Sequence, residues 1–180
     1  MTFRHVERGG TYSRVADPDW PNPLDGSHAA AGGARWNPPG SFPVVYLNRD
    51  VETARANVRG KFEGQPFQAE DLRPDRRPNL VHTDVPTDRY VDVVTDAGCK
   101  TAGLPATYPL DAHGKEIPHE TCQPIGLEAW EHGEPGIACR SAAPAAPPAG
   151  EELAWFERDT PLEPLQAQVF ERWYWAQAPL

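Results

Sequence analysis

The stretch that most constrains this chain is Gly32-Gly33-Ala34-Arg35-Trp36-Asn37-Pro38-Pro39-Gly40, followed at once by the apolar run Pro43-Val44-Val45-Tyr46-Leu47. Adjacent glycines permit positive φ and close backbone approach, and Asn37 to Gly40 carry the turn chemistry that stops the chain before the run. The run itself reads as a short strand buried on both faces. Arg35 beside Trp36 sets a planar charged fork against a flat apolar wall, which is the chemistry of a site for a phosphate and a ring. A rigid loop held on a rigid strand is therefore expected, with the other elements placed around it.

Taken in order, Thr11 to Val15 reads as a first strand closed by Asp17-Pro18 and a proline-rich loop. Locally, Arg14 reads as an edge-strand arginine in solvent, with an anion clamp as its functional alternative. Leu24 to Ala31 is loop-like. Asp50 caps a helix over Val51 to Arg59 that stops at Gly60; Val51, Ala54 and Val58 form its buried stripe and Asn57 borders it. Gly64 to Pro78 reads as an exposed loop, and Leu80 to Val85 and Tyr90 to Val94 as two strands. Thr95 or Asp96 opens a short helical turn, and Ala106 to Pro118 is a surface loop. Thr121 to His132 has the pattern of a helix packed under the sheet, with Thr121 as its cap. Ile137 to Cys139 is a strand that presents Arg140 and Ser141. An Ala/Pro loop then leads to a strand over Leu153 to Phe156. The tail from Leu165 to Trp175 is too apolar to be left in water, so it belongs to the core or to an interface.

Length and charge narrow the function classes. A chain of 180 residues is one domain by size. A formal net charge of -9 argues against a nucleic-acid partner, because such binding neutralises many phosphates with clustered Lys and Arg. An anionic ligand must therefore meet a local cluster of arginines. Cys99, Cys122 and Cys139 are odd in number and scattered, which gives neither a disulfide framework nor a metal site and fits a reducing cytoplasm. No apolar run has the length of a membrane span, and the N-terminus is too polar for a signal peptide.

Ser13-Arg14-Val15, Gly33 to Pro39, Val45-Tyr46-Leu47 with the helix after it, Gln123-Pro124-Ile125-Gly126-Leu127-Glu128-Ala129-Trp130 and Gly136-Ile137-Ala138-Cys139-Arg140-Ser141, in this order, resemble the RES domain family. The resemblance spans roughly Thr11 to Phe156. It implies an α+β single domain, an ADP-ribosyltransferase-like mixed sheet with flanking helices and long proline-rich loops. The domain would be 1–180, with a core about 11–156 and an aromatic extension over 157–180.

The family's toxins belong to bacterial toxin–antitoxin pairs and degrade NAD or transfer ADP-ribose. The resemblance thus implies NAD as substrate, no metal, a cognate antitoxin as partner, and contact between copies through the aromatic tail. The family arginine matches Arg14 and the serine Ser141, while its glutamate falls on Asn57. Arg14 and Arg35 would hold the pyrophosphate, Trp36 and Tyr46 would wall the nicotinamide or ribose, and Ser141 would fix a ribose hydroxyl.

Breaking the nicotinamide–ribose bond passes through an oxocarbenium-like state that a nearby carboxylate stabilises, and an amide is no general base. Neither Glu52 nor Glu63 stands at a replacing position on the helix. Binding and turnover are therefore expected to come apart: a weakened protein that binds NAD or a protein partner is the alternative, and Asn57→Glu is expected to raise turnover.

Overall fold

The computed structural model describes residues 2–175 and runs through β1 (His5–Ala16), α1 (Ser27–Gly32), β2 (Val44–Asn48), α2 (Val51–Lys61), β3 (Asn79–Val93), α3 (Asp96–Thr101), α4 (His119–Glu131), β4 (Gly136–Arg140), β5 (Glu151–Phe156), β6 (Pro164–Gln168) and α5 (Phe170–Trp173). The strands form one mixed six-stranded sheet in the order β1-β2-β5-β4-β3-β6, and β1 also pairs with β3, so the sheet closes on itself. Among the described residues only β3 and β4 run parallel. The fold is thus the single mixed α+β architecture that the resemblance implies.

β1 and β3 are the spine. They pair antiparallel from His5↔Val91 to Ala16↔Asn79, so Arg14 lies within a paired strand and is only 6% exposed. The solvent-edge reading of Arg14 is thereby corrected. Two strands were expected where β3 is one. The register shifts between Arg8 and Gly10, where two β3 residues, Pro86 and Thr87, lie opposite the single Gly9, so β3 bulges there and runs on as one strand. A bulge accepts a residue that cannot donate to the ladder. A Cβ on Gly9 would meet the Thr87 backbone at 2.6 Å.

Alternation along the strands sorts the core. Val44, Ile137, Cys139, Ala154 and Phe156 face a cluster filled by α3 and α4, with Trp36, Cys122, Ile125 and Ala129 among its members. Val45, Leu47, Ala138, Leu153 and Trp155 face the other way, with Tyr12, Val81 and Tyr90. Period two in the sequence thus becomes two faces in space.

Several boundaries shift for local reasons. The Ala-rich Ser27–Gly32 segment is helical rather than loop. Asp50 caps α2 through Thr53 N–H as expected, but the helix continues through Gly60 to Lys61. α4 starts at His119 and no side chain caps it, so Thr121 is not its cap. The tail packs on the domain: Phe170, Trp173 and Tyr174 are buried against Ala54, Val58 and Leu80. Arg55 of α2 also donates to the Trp173 carbonyl from Nε at 3.1 Å. Val169 and Trp175 stay exposed, and the rest of the expected extension, 176–180, lies outside the described residues. Among the described residues no helix is long and apolar enough to cross a membrane.

Candidate functional site

A cleft of about 580 Å³ opens where β1, β2, α2, β5 and the loops before β2 and α4 meet. Arg14 and Arg35, separated by a proline-rich loop, both line it, together with Tyr46 and Asn57. Two arginines far apart in sequence thus border one opening.

Its cationic end is built on β1 and the end of α2. The Arg14 guanidinium donates to the Asp25 carbonyl at 2.9 Å and lies 5.0 Å from the Trp20 ring centroid. Burial pulls its pKa down to about 10, against the opposing pull of Asp25 and Glu157. Among the described residues no carboxylate stands within ion-pair distance of it, so the protein holds a nearly buried charge that its own side chains do not neutralise. Lys61, which the sequence reading did not single out, lines the same cleft. Its ammonium pKa is lowered by desolvation first and by Arg14 second, with Asp17 opposing. The residue reaches solvent, so that repulsion is partly screened.

The loop bearing Arg35 is stitched to the sheet by backbone-directed bonds. Gly33 has φ 71°, and a Cβ there would meet the Pro39 ring nitrogen at 2.7 Å, so this glycine is required twice over. The Tyr46 hydroxyl accepts from Trp36 N–H and donates to Asn37 Oδ1, each at 2.9 Å, while Asn37 Nδ2 donates to the Ala29 carbonyl at 2.7 Å. α4 backs the loop: Gln123 donates to the Ala34 carbonyl at 3.0 Å, and Gly126 packs so closely that a Cβ would lie 1.7 Å from the Trp36 carbonyl oxygen. This contact explains the glycine in the middle of a helix. Arg35 donates to the Ile117 carbonyl at 2.9 Å and is ion-paired with the exposed Glu116. His119 lies nearby, its pKa lowered by desolvation and then by Arg35.

Trp36 does not wall the cleft. It is completely buried and its indole N–H points to Cys139 Sγ at 3.4 Å, so the expected ring contact is corrected. An apolar indole in a loop next to a strand finds more burial beneath the sheet than at a cleft mouth. The aromatic surfaces that do line the cleft are Tyr46 and Trp20. Ser141 is also set back. It is 6% exposed, and its hydroxyl donates to Glu152 Oε1 at 2.5 Å instead of standing at the cleft wall.

Glu152 is the residue that sequence reasoning missed. It lines the cleft on β5, between Asn48 of β2 and Cys139 of β4 in register. Asn57 Nδ2 donates to Glu152 Oε1 at 3.0 Å and to Asn48 Oδ1 at 2.6 Å. Started at Leu153, the strand left Glu152 in a loop. Continuing the alternation back from Phe156 and Ala154 places it on the Tyr46 face. The carboxylates weighed at sequence level sit elsewhere: Glu52 is ion-paired with Arg55, and Glu63 is exposed at the cleft rim. Among the described residues no group of three or more His, Cys, Asp or Glu could hold a metal ion.

Fold and cleft together define a mixed α+β protein in which the buried Arg14, with Arg35 and Lys61, shares one opening with Glu152. The chain belongs to the RES domain family, whose sequence pattern matches residues 11–175. Its fold is similar to that seen in the crystal structure of the M. tuberculosis MbcT–MbcA toxin–antitoxin complex, with TM-score 0.74 and 22% identity over 94% of this chain and 91% of that one. No curated protein sequence matches it significantly.

Proposed function

We propose that this protein consumes NAD by cleaving the nicotinamide–ribose bond, as a glycohydrolase, a phosphorylase or an ADP-ribosyltransferase. The observation that carries the reading is Arg14: a nearly buried guanidinium, next to Lys61, with which no carboxylate of the described residues forms an ion pair. Such a charge is tolerated where a bound anion compensates it. A pyrophosphate at Arg14 and Lys61 would leave the ring surfaces of Trp20 and Tyr46 for the planar groups of the dinucleotide. NAD also carries a positive nicotinamide, and the same cleft is lined by the carboxylates Glu63, Glu116 and Glu152.

The test is incubation of the purified protein with NAD while free nicotinamide is followed. Release in step with NAD loss is expected. Saturable NAD binding without release would favour the alternative reading, a weakened family member, for which the neutral amide of Asn57 is the specific support. The RES family and the toxin–antitoxin complex of similar fold support a toxin-like role with a cognate antitoxin as partner. Growth arrest on expression, relieved by co-expression of the neighbouring reading frame, is the outcome that role requires.

A further inference from the structure

We infer that Glu152 is the carboxylate of this site, and that Asn57 and Ser141 are positioning residues that hold it. The inference rests on the NAD reading. Oε1 of Glu152 takes two hydrogen bonds from neutral donors, Ser141 Oγ at 2.5 Å and Asn57 Nδ2 at 3.0 Å. Oε2 has no hydrogen-bond partner among the described residues and is not sealed from solvent. No lysine or arginine of the described residues forms an ion pair with Glu152. It is thus oriented on one side and unspent on the other, the state that suits a group meeting developing positive charge.

The position usually read as the family glutamate is Asn57, and the geometry shows what stands opposite it. The α2 side chain and the β5 side chain are joined by one hydrogen bond and line the same cleft, so a carboxylate on either element would face the same opening. Here the charge sits on the strand and the amide on the helix. Asn57 is fixed as a donor because Asn48 Oδ1 and Glu152 Oε1 both accept from its nitrogen. The cleft is then bipolar, with the cations Arg14 and Lys61 at one part and Glu152 at another. That matches a dinucleotide whose pyrophosphate is negative and whose nicotinamide ribose becomes positive.

In the step itself, the bond from ribose C1′ to the nicotinamide nitrogen breaks and its electron pair leaves with the nitrogen, giving neutral nicotinamide. The carboxylate of Glu152 balances the charge left at C1′. A water oxygen then bonds to C1′, and the proton it loses passes to Glu152 and on to solvent. NAD and water thus give ADP-ribose, nicotinamide and one proton, with no oxidant or reductant.

The experiment compares nicotinamide release and NAD affinity for the full chain, Glu152→Gln, Asn57→Glu and the double variant Asn57→Glu/Glu152→Gln, with folding checked by thermal denaturation. Glu152→Gln is expected to lower kcat about 100-fold while changing affinity only about threefold, because the amide keeps the shape and loses the charge. Asn57→Glu alone is expected to slow the enzyme at neutral pH and move its pH optimum, since two carboxylates within hydrogen-bond reach share a proton. This replaces the sequence-level expectation that the same change raises turnover.

The double variant is expected to recover about tenfold over Glu152→Gln, as one carboxylate is restored on the helix. A Glu152→Gln protein as fast as the parent, or an Asn57→Glu protein faster than it, overturns the role of Glu152 and leaves the NAD reading standing. A parent chain that neither binds nor cleaves NAD removes both.

Discussion

Glu151 and Glu152, neighbours on β5, serve opposite faces of the sheet: Glu151 accepts from Arg8 Nε at 2.5 Å, and Glu152 accepts from Ser141 Oγ at 2.5 Å on the cleft side. A strand sends successive side chains to opposite sides, so two identical residues receive different tasks. Glu151 also takes Arg8 Nη2 at 2.8 Å and lies 3.4 Å from the Tyr12 hydroxyl. Both partners of the Arg8 pair are mostly buried. Glu151→Gln is therefore expected to lower unfolding stability by about 1–3 kcal/mol, the worth of a hydrogen bond to a charged group. NAD affinity should stay within twofold. Chemical denaturation and a binding titration of the same preparation check this.

Arg14 should behave in the opposite way. Its charge is held against desolvation, so Arg14→Met removes a cost to the unliganded fold along with one bond to the Asp25 carbonyl. Thermal stability without NAD is expected to be unchanged or higher. NAD affinity is expected to fall at least about tenfold, the loss that accompanies about 1.4 kcal/mol. A variant that loses stability yet keeps full affinity would make Arg14 a structural residue.

Lys61 gives the site a pH dependence. In the free protein its pKa lies below 10.5, from desolvation and then from Arg14. A bound pyrophosphate opposes both cations and favours the protonated form, so binding raises the Lys61 pKa again. By linkage, NAD affinity is full below the lowered free-state pKa and declines as pH rises through it toward the raised pKa of the bound state. Titrations between about pH 7 and pH 10 should show this decline, and Lys61→Met should flatten it. A decline of the same size in the Lys61→Met protein assigns the titration to another group.

Gly126 links helix packing to the site. Any side chain there drives into the Trp36 carbonyl, and the α4 backbone must move away from the loop that carries Arg35. Gly126→Ala is expected to cost about 3 kcal/mol, the upper end for overpacking. The surviving folded protein should also bind NAD more weakly. An alanine variant of normal stability would mean that α4 shifts freely on the loop.

Sequence alone determined the elements whose signals are local. The loop leading to Gly40 with its following strand, the Asp50-capped helix and the strand over Ile137 to Cys139 each carry their own turn residues, cap or apolar run, and the structure keeps them, with Gly32 closing α1 and the loop opening at Gly33. The order of these pieces also made the family legible, and with it Arg14, Arg35, Tyr46 and Asn57 as members of one cleft. What tertiary structure decided was pairing and direction. Closure of the sheet through β1 and β3 buried Arg14, which local sequence leaves in solvent. A bulge at Pro86 and Thr87, opposite Gly9, joined two expected strands. Trp36 turned inward to Cys139, and Lys61 reached the cleft because α2 ran one turn's fraction past Gly60. Above all, Glu152 met Asn57 from a residue 95 positions away. No local pattern encodes that meeting: it depends on the register of β2 against β5, and a shift of one residue would have sent Glu151 to the cleft instead.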